Sequence, residues 1–133
     1  MCIFCEIIKG NIPCYKVYED DIAIAFLDIS QATYGHTLVL PKKHVANIFE
    51  LDSKTAEHLF SVVATLSKKI CKATGTNNVN ILNNNGKIAG QSIDHFHIHI
   101  LPRYENDNLS IVVQENKLSN DEFATLLEKI KKA

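Results

Sequence analysis

The chain has 133 residues, 46% of them hydrophobic and 22% charged, and its 14 Lys and Arg against 15 Asp and Glu leave a net charge of −1. That length suits one domain, residues 1–133, which buries roughly two-thirds of its unfolded surface and needs no staples to fold. The balanced charge lacks the clustered cations that non-specific nucleic-acid binding requires, and no apolar run approaches the roughly 20 residues that span a bilayer.

The N-terminal Met1-Cys2-Ile3-Phe4-Cys5-Glu6 lacks the basic segment and long apolar stretch of a secretory signal. The expectation is therefore a cytoplasmic protein without nucleic-acid or membrane partners. In that compartment Cys2, Cys5, Cys14 and Cys71 read as thiols or metal ligands, not disulfides.

Residues 4–9, stopped by Gly10, fit a short helix, and residues 16–19 and 22–27 suit two strands joined by a Glu19-Asp20-Asp21 turn. Residues 37–40 form a β-branched, apolar strand that stops at Pro41. Across residues 53–74 the period changes. Ala56, Leu59, Val62, Val63, Leu66 and Ile70 recur at the three-and-four spacing of one helix face, and Gly75 supplies the stop. Residues 79–82 and 95–101 read as two more strands, joined by a polar loop over 83–90. Ser119 and Glu122 make a capping box ahead of Phe123, Leu126, Leu127 and Ile130, which predicts an amphipathic helix over about 119–131. Strands on both sides of one long helix give an α+β class with about five strands in a mainly antiparallel sheet.

Three of the six histidines fall within His95-Phe96-His97-Ile98-His99. On a strand the three imidazoles share one face, while Phe96, Ile98 and Ile100 share the other. Mere solvent exposure is a poor account of this, since His is not a favoured strand residue and three at period two have no packing reason. Two chemical readings stay open at this point. A His-x-His strand presents two imidazoles to one zinc, with Asp28 or Asp94 available as a further ligand. Alternatively, one imidazole is a nucleophile for a phosphoryl or nucleotidyl group, whose oxyanions need amide, hydroxyl and backbone donors. Asn84, Gly90, Gln91 and Ser92 form such a loop.

Cys2-Ile3-Phe4-Cys5 has the spacing at which two thiolates bind one zinc; two ordinary thiols are the alternative. A redox motif would follow a strand and open a long helix, and no strand precedes this pair. Cys14 and Cys71 have no partner at ligand spacing and read as structural. His58 lies off the apolar face of the long helix and reads as solvated.

The run from His95 to Ile100 resembles the His-φ-His-φ-His-φ-φ signature (φ apolar) of the histidine triad (HIT) superfamily, and Ala89-Gly90-Gln91-Ser92 resembles that family's approach to the phosphate. Ile3-Phe4, Ile12-Pro13, Glu19-Asp20-Asp21, Ala25-Phe26-Leu27-Asp28-Ile29 and Gly35-His36-Thr37-Leu38-Val39-Leu40-Pro41-Lys42-Lys43-His44 follow the same pattern, so the likeness covers about residues 3–105. It is similar to the Hint-like branch, in its bacterial type with an N-terminal Cys-x-x-Cys.

The resemblance implies a HIT fold and a homodimer, paired through the long helix and a sheet edge. It also implies a purine nucleotide substrate, cleaved at the α-phosphate of a nucleoside monophosphate ester or phosphoramidate through a nucleotidyl-histidine. By likeness His97 is the nucleophile, supported by His99, His36 and His95. Asn84, Gln91 and Ser92 contact the phosphate or leaving group. Asp28 takes the ribose hydroxyls, and Phe4, Ile12, Phe26 and Ile29 wall the base. Bacterial relatives close a structural zinc site at the positions of Cys2, Cys5, His44 and His95, whereas the chemical step requires no cofactor. A nucleotide- or zinc-binding regulatory module with incidental turnover is the alternative function. Asp94 stands where relatives often carry an aromatic or basic residue, and Leu101-Pro102-Arg103-Tyr104 replaces a glycine-rich turn, so the leaving-group preference does not carry over.

Overall fold

The computed structural model describes residues 1–133. Five strands, β1 (Lys16–Glu19), β2 (Ala23–Leu27), β3 (Thr37–Pro41), β4 (Val79–Leu82) and β5 (Ile98–Pro102), form one antiparallel sheet in the order β1-β2-β3-β5-β4. Three helices accompany them: α1 (Ile3–Ile8), α2 (Ser53–Thr74) and α3 (Asn120–Lys132). None is long and apolar enough to cross a membrane.

The sheet is covered on both faces. On one, Leu59, Val62, Val63, Leu66 and Ile70 of α2 pack on Ala23, Ala25, Val39, Phe96, Ile98 and Ile100. On the other, Phe4 of α1 packs with Ile24, Phe26, Leu38 and Leu40. Burial on both faces is why β2 and β3 read as unbroken apolar runs and not as an alternation.

α2 spans the residues its periodicity predicts. The Asp52 carboxylate accepts from the Thr55 N–H (3.1 Å) at its start, and Gly75 turns left-handed at its end (φ +81°). Gly35 before β3 also has a positive φ (+97°), and a Cβ there would lie 3.0 Å from the Thr74 side chain, so only glycine fits.

β5 starts later than the histidine spacing implies. His95 to His97 approach the sheet in bonds outside the ladder: the Phe96 N–H donates to the Val45 carbonyl (2.8 Å), and the Asn83 amide donates to the His97 carbonyl (2.8 Å). β2 begins at Ala23 and not at Ile22, because the Asp20 carboxylate captures both N–H groups (2.8 and 2.7 Å) and makes them part of the turn. That carboxylate also corrects the reading of His58. The ring is half-buried, with Nε2 2.6 Å from Asp20 Oδ2, and ties α2 to the β1–β2 hairpin. Burial pushes Asp20 upward, but the bonds from Tyr18, Ala23, Ile22 and His58 together hold it well below the usual carboxylate range.

The Ser119–Glu122 capping box forms in both directions, yet α3 buries no side chain. Phe123, Leu126, Leu127 and Ile130 are all exposed, as are Ile111, Val112 and Val113 in the segment leading to it.

Candidate active site

The three imidazoles of residues 95, 97 and 99 lie on the α1 side of the sheet, opposite α2. Phe4 meets two of them edge-on, with ring centroids 5.9 Å from His95 and 5.2 Å from His97, and His97 and His99 are 4.9 Å apart.

Main-chain groups assign the protons on these rings. His97 Nδ1 lies 2.7 Å from the His95 carbonyl oxygen, which only accepts, so Nδ1 carries the proton and Nε2 keeps a free lone pair. His36 is set the other way. The Ala32 N–H donates to its Nδ1 (3.1 Å), which leaves the proton on Nε2, 2.9 Å from His99 Nδ1. His36 therefore donates to His99, and the His99 proton sits on Nε2. Two neighbouring rings thus present opposite Nε2 edges, one a lone pair and one an N–H.

Burial keeps the donor pair uncharged. It pushes His36 below the ordinary imidazole value against the pull of the Asp28 carboxylate. It takes His99 down to about 4, reinforced by repulsion from His97 and His36. Asp28, His36 and His99 lie close enough to suggest a metal triangle. The Ala32 N–H argues against it, because it places a proton on His36 Nε2, the atom that would have to bind the ion.

His97 and His99 open onto a cavity of about 290 Å³. Phe4, Ile12, Phe26, Asp28 and Ile29 line it, together with Ser92. Ile3, Ile7, Leu38 and Ile93 extend the apolar wall; sequence reasoning did not single them out, because each is indistinguishable from a core residue. Cys14, read as structural, also lines this cavity.

Asn84 and Gln91 are not on its wall. The Gln91 amide is fully engaged inside the protein: its oxygen accepts from the Gly86 N–H (2.8 Å), and its nitrogen donates to the carbonyls of Ala46 (2.7 Å) and Ile93 (3.0 Å). Gln91 thus holds the loop that delivers Ser92, and Asn84 packs beside Gly90. Asn83, which nothing in the sequence marked apart from its neighbours, holds the His97 carbonyl, and Asn85 donates in turn to the Asn83 side-chain oxygen.

Cys2, Cys5, His44 and His95 converge next to this cavity. Sulfur–nitrogen separations are 3.4 Å for Cys2–His95 and Cys5–His44 and 3.6 Å for Cys5–His95, and the His44 and His95 Nδ1 atoms are 3.2 Å apart. A tetrahedral zinc with ordinary bond lengths spaces a sulfur and a nitrogen by about 3.6 Å and two nitrogens by about 3.4 Å. The donor set therefore fits that ion closely. His95 Nε2 lies 2.8 Å from the Pro41 carbonyl oxygen, which fixes the proton there and turns a free Nδ1 lone pair to the thiols. This arrangement takes His95 Nδ1 into the cysteine cluster, while His97 Nδ1 serves the carbonyl, so the two rings do not converge on one ion.

A model of the HIT domain matches residues 9–106. The adenosine 5′-monophosphoramidase of Schizosaccharomyces pombe is 42% identical over 130 residues, which cover 97% of this chain and 95% of the relative. Among solved structures, a Streptococcus mutans protein superposes with a TM-score of 0.95 at 44% identity, covering 98% of this chain and 83% of that one. A zinc-bound histidine triad family protein from Mycobacterium smegmatis superposes with a TM-score of 0.78 at 30% identity, covering 98% and 96%. The family match takes in all five strands and the histidine run, and on it the chain belongs to the HIT domain family.

Proposed function

We propose that this protein is a nucleotide hydrolase that cleaves nucleoside monophosphate esters or phosphoramidates at the α-phosphate through a nucleotidyl-His97 intermediate. The observation that carries the reading is the pair of opposite Nε2 edges in one cavity, a lone pair on His97 and an N–H on His99, with Asp28 among the other lining residues.

His97 Nε2 attacks the α-phosphorus, the new N–P bond forms, and the bond to the leaving group breaks with its electron pair departing on that group, which takes up a proton from solvent. Water then attacks phosphorus and gives one proton back to solvent, the N–P bond breaks, and His97 recovers its lone pair while nucleoside monophosphate leaves. The neutral His99 N–H and the Ser92 hydroxyl donate to the phosphoryl oxygens, where charge builds in both steps. Asp28 accepts from the ribose hydroxyls. A purine fits between Phe4, Phe26, Ile12 and Ile29, walls that offer area and no polar edge. Named relatives support the class: besides the yeast phosphoramidase, an Arabidopsis thaliana relative is an adenylylsulfatase.

Zinc on Cys2, Cys5, His44 and His95 supplies a cross-link between the N-terminal segment and the sheet, and no step of the chemistry passes through it. That the mycobacterial histidine triad family protein is zinc-bound supports zinc as the ion, and the donor separations support these four residues. The uncovered apolar face of α3 and the half-exposed Val79, Ile81 and Leu82 of the edge strand β4 support a homodimer in which a second copy covers them. Unpaired thiols suit a reducing, cytoplasmic setting.

The test is His97→Ala assayed on adenosine 5′-monophosphoramidate. Turnover should fall roughly 10⁴-fold, about 5.5 kcal/mol of transition-state stabilisation, with AMP affinity largely spared. Activity within about tenfold of wild type would exclude the covalent route.

A further inference from the structure

We propose that Gln31 is a positioning residue for the reaction at His97, acting through the loop it braces to keep His99 in the proton-donating tautomer. The proposal rests on the hydrolase reading above for its kinetic arm only.

Gln31 lies on the surface of the loop joining β2 to β3, where a glutamine normally keeps its side chain mobile in water. Here every polar atom of the amide is used. Its oxygen accepts from the N–H groups of Gly35 (2.8 Å) and His36 (3.1 Å), and its nitrogen donates to the carbonyls of Asp28 (2.5 Å) and His36 (2.7 Å). Four bonds from one side chain therefore tie the two ends of the loop together. Those ends are the residues that matter: Asp28 lines the cavity, and His36 supports His99.

Between the braced ends lies Ala32, whose N–H reaches His36 Nδ1. This main-chain donor at Nδ1, with the Asp28 carboxylate 3.6 Å from Nε2, sets the direction of the chain Ala32 N–H to His36 to His99 against a Ser30 backbone bond that favours the protonated ring. If the loop shifts and the donor is withdrawn, His36 can carry its proton on Nδ1 and accept at Nε2 from His99 Nδ1–H. No ring moves far, but the His99 edge facing the cavity becomes a lone pair. A lone pair repels a phosphoryl oxygen where an N–H stabilises it. Loss of one preorganised donor costs 10²–10³-fold in kcat. A mixture of tautomers should give a smaller loss.

Burial of His36 and His99 supports the same chain, because neutral rings have a tautomer to choose whereas charged rings donate from both nitrogens. Asp28 Oδ2, 3.6 Å from His36 Nε2, is the one acidic group beside the pair.

The experiment is nitrogen-15 NMR of histidine-labelled protein at neutral pH, for wild type and Gln31→Ala, without substrate. Wild type should show His99 protonated on Nε2 and bare on Nδ1, and His36 the same. Gln31→Ala should show averaged or exchanged shifts at His36 and His99 while His97 keeps its own tautomer. In steady-state assays its kcat should fall about 10- to 100-fold, a larger loss than that in AMP affinity, which also falls because the Asp28 end of the loop is loosened. Gln31→Glu, which keeps the acceptor and loses both donations, should fall between the two, and it replaces Gln31→Ala should that variant fail to fold. Wild-type tautomers and wild-type kcat in the folded variant would overturn the proposal, as would a wild-type His99 protonated on Nδ1. Because the spectra need no substrate, a failure of the hydrolase reading at His97→Ala leaves this test intact and is told apart from it.

Discussion

Lowering the pH from 7.5 to 4.5 tests whether the fold holds His99 uncharged. Burial and the neighbouring imidazoles take its pKa from an ordinary 6.5 to about 4, so between those values the unfolded chain binds a proton that the folded chain refuses. The stability due to the neutral ring is complete above pH 6.5 and is lost as the pH falls towards 4. At 1.36 kcal/mol per pKa unit, and with solvent screening of the partly exposed ring, His99 alone removes on the order of 1–2 kcal/mol between pH 7.5 and 4.5. His36, also lowered by burial, contributes with the same sign. Carboxylates act outside the window: bonds from Lys16 and Lys42 hold Glu19 at about 2 against an ordinary 4.5, so its contribution disappears only below pH 4.5. Urea unfolding at a series of pH values, on wild type and His99→Asn, subtracts the titrations the two proteins share, the metal ligands included, and leaves those of residue 99 and the rings it touches. The wild-type curve should drop on the order of 1–2 kcal/mol further than the variant's across the window. Curves that run parallel to within about 0.5 kcal/mol would refute the claim that the cavity excludes a charge at residue 99.

Asp28→Asn should weaken AMP binding roughly 10- to 100-fold, the worth of charge-assisted bonds to the ribose, and should bind a dideoxynucleoside monophosphate as well as wild type does; calorimetry reads both. Cys5→Ser should lose its zinc, measured as metal per chain, and melt at a lower temperature, because α1 is then fastened only by Phe4 and its apolar neighbours. Sedimentation at micromolar concentration should give twice the 14.9 kDa chain mass, and Leu127→Lys on the exposed face of α3 should shift the protein towards monomer; a single 14.9 kDa species in wild type would count against the dimer.

α2 was readable in full, because its periodicity and Gly75 are both local signals. The histidine spacing correctly put three imidazoles on one side but overstated β5, since side chains alternate along any extended backbone whereas a strand needs a hydrogen-bonded neighbour, which begins at Ile98. The cavity walls were recognisable only through the family likeness, which pointed to Phe4, Ile12, Phe26, Asp28 and Ile29. Composition cannot tell Ile7 on a cavity from Ile70 in a core. Gln31 and Asn83 escaped notice, and Gln91 was given a phosphate contact in place of its bracing role, for a different reason. Each acts by bonding main-chain groups, five residues away for Gln31 to His36, 14 for Asn83 to His97 and 45 for Gln91 to Ala46, and no spacing rule relates these pairs. His58 was misjudged because its partner, Asp20, lies 38 residues away in the chain.

The peptide unit between residues 95 and 96 is gripped from both sides: its carbonyl holds His97 Nδ1, and its N–H is held by the Val45 carbonyl, one residue beyond His44. The orientation of the His97 ring is therefore inherited from a rigid plane and not from the rotamers of the side chains lining the cavity. Displacement of Ile12 or Ile29 on the cavity wall leaves the imidazole pointing the same way. The same plane belongs to one residue of the cysteine–histidine cluster, His95, and is hydrogen-bonded to the chain neighbour of a second, His44, so the lever that aims the ring is anchored outside the cavity.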